Sequence, residues 1–211
     1  MKKFDRSLLP PAPDLCFEMP LWAAGIRIVA GIDEAGRGAL AGPVAAAALV
    51  LPVRADLCQT LNGVRDSKEM TPAERQFWAG QLRSLAQEYG VGFASHQEID
   101  DLGIVYATHL AMQRALGLLA ELPQHLLVDY LELPELHIPQ TNLVKGDARS
   151  LSIAAASVLA KTARDEMMAQ LDIQYPGYGF ARHKGYGTEA HRQALALLGP
   201  CPIHRLSFNF K

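Results

Sequence analysis

The stretch Arg27-Ile-Val-Ala-Gly-Ile-Asp33 decides the fold. Its apolar residues do not alternate with polar ones, and a carboxylate follows them at once. Such a run reads as a strand buried on both sides, with its polar end emerging at the edge of a sheet. The pattern returns at His125-Leu-Leu-Val-Asp129, where apolar residues again lead into an aspartate.

The segments around these two strands supply the rest of the architecture. A glycine-rich turn holds Gly36, Gly38 and Gly42, and Val44 to Leu51 is a second apolar run. The alanines in that run leave strand and helix both open. Thr71-Pro72-Ala73-Glu74 is a helix start, with an N-cap, a proline at N1 and a glutamate at N3; the helix is expected to reach Tyr89, where Gly90 stops it. Val91 to Ala94 reads as a short strand, and Ser95-His-Gln-Glu98 as another capping box. Ile104 to Leu119 has helical period and ends before Pro123. Weak strands are expected at Leu136–Ile138 and Asn142–Val144. Ser150 to Ile173 is a long alanine-rich helix, Tyr175 to Gly187 a loop, and Thr188-Glu-Ala-His191 opens a last helix. Residues 1–25 are proline-rich and read as an irregular extension. The order predicts one α/β domain over residues 26–211, a mixed central sheet flanked by helices.

Composition excludes several classes. The chain has 211 residues, 49% hydrophobic and 20% charged, which fits a globular protein rather than a disordered or fibrous one. The longest uncharged run, Gly38 to Val53, contains Pro43 and Pro52 and is too short to span a bilayer. Cys16, Cys58 and Cys201 form no CxxC pair, which excludes a cysteine zinc site or a disulfide framework and suits a reducing compartment. Asp5, Pro10, Pro11, Pro13 and Asp14 break any export signal after Lys2 and Lys3, so a cytoplasmic location is expected, and a monomer. Net charge is −2, yet residues 142–211 carry 9 Lys and Arg against 5 Asp and Glu, while residues 1–141 carry 11 against 17. Either a local basic face or an uneven solvated surface fits that asymmetry.

The chemical signal is acid at the ends of strands. Asp33 and Glu34 close the first strand and Asp129 the later one, and strand carboxyl ends are a usual place for chemistry in α/β sheets. Carboxylates gathered there repel one another unless a proton or a cation sits between them, and hard divalent ions such as Mg²⁺ or Mn²⁺ prefer oxygen ligands. Strand-end acids standing in solvent fit the same residues. Asp165 lies on one helix stripe with Ser157 and Lys161; an ordinary Lys161–Asp165 surface pair is the alternative. Gly31 to Gly38 has the glycine spacing of a P-loop but lacks its Lys-[Ser/Thr]. Gly36-Arg-Gly38-Ala-Leu-Ala41 with Asp56 also fits a dinucleotide fingerprint, which requires a helix directly after Gly38.

The segment Gly31-Ile-Asp-Glu-Ala-Gly-Arg-Gly-Ala-Leu-Ala-Gly-Pro-Val44 resembles the signature of type 2 ribonuclease H, the ribonuclease HII family. So do Asp66-Ser67-Lys68, Lys145-Gly146-Asp147, Ala154 to Asp165, His183-Lys-Gly-Tyr-Gly-Thr188 and Pro202-Ile-His-Arg-Leu-Ser-Phe208. The resemblance implies a ribonuclease H-like fold and a metal-dependent endonuclease acting on RNA–DNA hybrids and on duplex DNA containing ribonucleotides. It implies Asp33, Glu34, Asp129 and Asp165 as the metal-binding carboxylates, with Mg²⁺ or Mn²⁺ as cofactor. Gly36, Arg37 and Gly38 are implied as backbone readers of a ribose 2′-OH, and Tyr186 as a residue that senses the RNA–DNA junction. Two departures stand out: Tyr130 follows the third acid where the family usually has glycine, and no C-terminal helical extension follows Phe210.

Glycines 36 and 38 let backbone approach a sugar closely, and a 2′-OH both donates and accepts. Arg37, Lys68, Lys145, Arg182 and Lys184 are candidate phosphate contacts, and each also reads as a solvated charge. His183, His191 and His204 have no zinc spacing and are assigned to structure, as Trp22 and Trp78 are to packing. A hybrid-binding module without catalysis is a third reading, against which the acidic cluster argues because it weakens phosphate binding.

Overall fold

A computed structural model describes residues 9–210. Five strands form one sheet: β1 (Val29–Ala35), β2 (Val44–Val50), β3 (Glu88–Ala94), β4 (His125–Asp129) and β5 (Gln140–Leu143), in the order β3-β2-β1-β4-β5. β1, β2 and β3 pair antiparallel, whereas β4 runs parallel to β1 and β5 parallel to β4. The sheet is therefore mixed, as expected. Every residue of β2 is buried, and the run after the glycines is a strand. That removes the helix on which the dinucleotide reading depended.

The helices are α1 (Glu18–Ala23), α2 (Leu57–Thr60), α3 (Pro72–Leu85), α4 (His96–Leu102), α5 (Ile104–Leu116), α6 (Leu151–Gln174), α7 (Phe180–His183) and α8 (Glu189–Leu198). Side chains of β2 alternate between two cores. Ala47 and Leu49 pack with Ala154, Ala155 and Val158 of α6 and with Leu82 of α3. Ala46 and Ala48 pack with Ala107, Ala111 and Met112 of α5. Small residues set these layers close together. A Cβ on Gly31 would overlap the Ser152 backbone of α6, and one on Gly92 would meet the Ala111 carbonyl of α5.

That closeness accounts for several differences from the expected boundaries. Gly90 does not stop a helix; it lies within β3, because its missing Cβ admits the Ala115 carbonyl of α5. α3 accordingly ends at Leu85 and β3 begins at Glu88. Leu136–Ile138 is not a strand. Pro134 and Pro139 on either side lack an N–H with which to extend a ladder, and the Leu136 N–H is spent on the Leu133 carbonyl in a turn (3.1 Å). Leu136 and Ile138 pack against the α5 core instead. Residues 1–8 of the proline-rich extension lie outside the described residues. The rest of it is not wholly irregular: Glu18–Ala23 is a short helix, tied down where buried Glu18 accepts hydrogen bonds from Ser150 Oγ (2.6 Å) and Ser152 N–H (3.0 Å). Six residues are too few to show a helical period in sequence.

Candidate metal and nucleic-acid site

Parallel pairing of β1 and β4 sets Ile32 opposite Val128, so the two strands deliver Asp33 and Asp129 to the same edge of the sheet. β5 continues the parallel order, and the turn Gly146–Ala148 that follows it reaches that edge too. Asp147 on this turn therefore joins the first two acids. One carboxylate oxygen from each of Asp33, Asp129 and Asp147 lies within 4.8 Å of the others.

The cluster is buried and mutually repulsive. Asp33 and Asp147 are each 2% exposed. Burial pushes Asp33 well above the ordinary carboxylate range, and the charges of Glu34 and Asp129 add to it. Asp129 is raised to about 6, first by burial and then by Asp147. Glu34 and Asp147 are also raised, with burial the leading cause in both. Partial neutralisation comes from two cations: Lys68 Nζ is 3.4 Å from Asp147, and Arg37 Nη1 is 3.3 Å from Glu34. Although burial opposes it, the charges of Asp33, Asp66 and Asp147 hold Lys68 in its protonated form. The Gly146 N–H donates to Asp129 Oδ1 (2.7 Å).

These contacts leave gaps. Asp33 Oδ2, Glu34 Oε2 and Asp147 Oδ1 are buried and have no hydrogen-bond partner. Orphaned carboxylate oxygens are costly in a protein interior. An all-oxygen donor set with excess negative charge is what a hard divalent cation requires. The residues present therefore fit Mg²⁺ or Mn²⁺.

Beside the acids lies a cavity of about 490 Å³ lined by Glu34, Gly36, Arg37, Gly38, Lys68 and Tyr186 among others. Gly36 has a left-handed φ of 93°, and a Cβ there would run into Arg164, so the fold itself requires that glycine. Gly38 differs: a Cβ would meet nothing within 4 Å. Tyr186 is half-buried, its ring between Lys161 Nζ (5.4 Å) and the Arg164 guanidinium (5.3 Å). Its carbonyl hydrogen-bonds His191 Nδ1 (3.0 Å), and His191 Nε2 is 3.1 Å from His204 Nε2. Burial pulls His191 down to about 4, so it stays neutral at physiological pH and the pair serves to hold the Tyr186 loop.

Asp165 is not brought into this cluster. Its two oxygens are held by Lys161 (2.6 Å) and Arg75 (3.3 Å), and it lines a neighbouring groove together with Arg182 and Lys184. The reason lies in the helix: Asp165 is more than three turns beyond the start of α6, past the end of β1 where the other acids meet. Lys145 is exposed at the left-handed residue before the Gly146 turn, outside the cavity lining. Asp147 carried no metal assignment from the sequence, although it lies in the family-like segment Lys145-Gly146-Asp147. The available signal was its place after a second parallel strand, which puts it at the same edge as Asp129. Ser67, Arg75 and Lys161 also line the cavity and had drawn no assignment to it.

Comparison with known proteins gives this geometry a lineage. Residues 30–211 match the family model described as ribonuclease HII. A protein named ribonuclease HII from Synechococcus sp. (strain JA-3-3Ab) is 55% identical over 93% of this chain and 88% of its own length. Another, from Syntrophotalea carbinolica, is 54% identical over 92% of this chain and 91% of its own. The crystal structure of ribonuclease H2 from Pyrococcus horikoshii superposes with a TM-score of 0.72 at 26% identity, covering 86% of this chain and 94% of that one. With a mixed sheet flanked by helices and its acids gathered at the parallel strand ends, the chain belongs to the ribonuclease HII family.

Proposed function

We propose that this protein is a divalent-metal-dependent endonuclease. It hydrolyses the RNA strand of RNA–DNA hybrids and nicks duplex DNA 5′ of a single embedded ribonucleotide, leaving a 3′-hydroxyl and a 5′-phosphate. One observation carries the reading: three carboxylates packed within 4.8 Å of one another, with orphaned oxygens, beside a glycine turn whose Gly38 the fold does not need. We assign Asp33, Glu34, Asp129 and Asp147 to the metal, and Asp165 to holding Arg75 and Lys161 in place.

When bound, two Mg²⁺ or Mn²⁺ ions supply Lewis acidity to the attacking water and to the leaving 3′-oxygen. The chain's own residues do the rest. The acids hold cation charge at one point of the cavity floor. Lys68 and Arg37 contact phosphate flanking the scissile bond, while Lys145, Arg182 and Lys184 follow the backbone farther along. Backbone groups at Gly36 to Gly38 pair the ribose 2′-OH, and a deoxyribose there leaves them unsatisfied, which rejects all-DNA duplex. The Tyr186 ring packs on the next sugar and favours DNA on that side. Free cysteines suit action in the cytoplasm, and we assign a monomer over residues 26–211 as the working unit. Among the described residues no helix is long and apolar enough to cross a membrane.

The test is nicking of an end-labelled duplex containing one ribonucleotide, with Mg²⁺ or Mn²⁺ and with EDTA. A single metal-dependent cut on the 5′ side is expected, and all-DNA duplex should stay intact. Binding without cleavage in either metal would favour a hybrid-binding module and defeat the proposal.

A further inference from the structure

Among the described residues Arg164 and Arg205 are the two largest fully buried side chains, and neither hydrogen-bonds an acid assigned to the metal. Among the described residues neither forms an ion pair. A buried guanidinium needs acceptors for its donors, and here backbone carbonyls serve every guanidinium nitrogen but Arg205 Nη2, which is buried without a hydrogen-bond partner. Arg164 donates to the carbonyls of Pro43 (2.9 Å), Ala41 (3.2 Å) and Lys184 (2.9 Å). Arg205 donates to those of Gly42 (2.9 Å) and Arg37 (2.8 Å). All five acceptors lie in two segments, the glycine turn 36–43 and the loop that carries Tyr186.

A trans peptide is planar, so fixing one carbonyl aims the next N–H in the opposite direction. Arg205 turns the Arg37 carbonyl inward, and the Gly38 N–H therefore faces outward, on the side of the cavity that Gly36, Arg37 and Gly38 line. The next amide is used within the turn, since Ala39 N–H donates to the Gly36 carbonyl (3.3 Å). Arg164 holds the other end of the arrangement. It lies against Gly36, where a Cβ would overlap its Nε, and its guanidinium carbon is 5.3 Å from the Tyr186 ring centroid. The two segments are stitched further by Leu40 N–H donating to the Gly185 carbonyl (2.7 Å).

We propose that Arg205 and Arg164 are positioning residues for ribose recognition: Arg205 aims the Gly38 amide at the sugar 2′-oxygen, and Arg164 locks the glycine turn to the Tyr186 loop so that both meet one nucleotide junction. This rests on the site being a ribonucleotide-directed nuclease. Lysine at either position keeps the charge but cannot hold two or three carbonyls in a fixed fork.

The experiment measures equilibrium binding in EDTA, by fluorescence anisotropy, of an all-DNA duplex and of the same duplex with one ribonucleotide. Wild type, Arg205→Lys and Arg164→Lys are compared, each checked for folding by thermal melting. Wild type is expected to prefer the ribonucleotide duplex. Each lysine variant should lose about tenfold of that preference while its affinity for all-DNA duplex stays within about twofold. A role confined to stability would weaken both duplexes alike or only lower the melting temperature, and would overturn the inference. Amide hydrogen exchange on wild type gives a second readout that needs no variant. The Gly38 N–H should gain protection with the ribonucleotide duplex and not with all-DNA; equal protection by both overturns the inference. A wild type with no ribose preference overturns the nuclease reading and this inference together, whereas a preference that both lysine variants retain overturns the inference alone.

Discussion

Asp147 and Asp165 differ in how far their charge is already met. Arg75 and Lys161 each take one oxygen of Asp165, whereas Asp147 has Lys68 at 3.4 Å and an Oδ1 with no partner. A carboxylate that holds two cations has little left for a third. Asp147→Asn, like Asp129→Asn, is expected to cut single-turnover nicking in Mg²⁺ by about 10³-fold, with a melting temperature unchanged or raised as repulsion falls. Asp165→Asn is expected to keep nicking within about tenfold of wild type and to lower the melting temperature instead, since it strands Arg75 and Lys161. The opposite ranking would return Asp165 to the metal set. Tyr130 presents a different residue-scale case. It adopts a φ of 59° and is 55% exposed, so its side chain buries little while its Cβ strains the backbone. Tyr130→Gly should raise stability by about 0.5–1 kcal/mol after glycine's greater unfolded-state entropy is allowed for. Urea unfolding measures this, and a lower midpoint would contradict it.

Close approach of helix to strand is the rule at the level of elements. Gly31 admits the start of α6 onto β1, so Gly31→Ala is expected to cost about 3 kcal/mol or more. Gly38→Ala meets open space and should leave the denaturation midpoint unchanged while cleavage falls, because the added methyl occupies the sugar's side of the turn. Equal loss of stability in both variants would refute this division between a glycine the fold needs and one the substrate needs. The same contrast explains how much was legible in the sequence. β1 and β4 were readable because burial on both faces leaves an unbroken apolar run. The caps at Thr71 and Ser95 were readable because a capping box is local, and both boxes form as expected. The acids Asp33, Glu34 and Asp129 followed from those strand ends. Gly90 was misread because its reason is a carbonyl of α5, far away in sequence. Asp147 was passed over because only the parallel order of β4 and β5 brings it to the edge.

For the molecule as a whole, the acids come from three separate segments, so their repulsion opposes closure of the sheet itself. Asp129, raised to about 6 when folded, holds a proton more tightly in the native state than in the unfolded chain. Its contribution to stability is fully present below its ordinary unfolded value and is lost as pH rises through about 6. A divalent metal held by these acids, as proposed, would relieve that loss. The Mg²⁺-dependent rise in melting temperature should therefore be large near pH 7.5 and shrink toward pH 5, about where Asp129 takes up its proton. His191, lowered to about 4, acts in the opposite direction with or without metal, so comparing Mg²⁺ with EDTA at each pH cancels it. A metal effect that grows toward pH 5 would disprove the linkage. The strand order carries one more consequence, in the time over which the chain is made. β1, β2 and β3 form a meander early in the sequence, and β4 and β5 join its open side later. A ribosome that has finished the meander has made Asp33 and Glu34 but neither Asp129 nor Asp147. The acidic cluster does not exist in the unfinished chain, which cannot collect metal there until the turn after β5 has emerged.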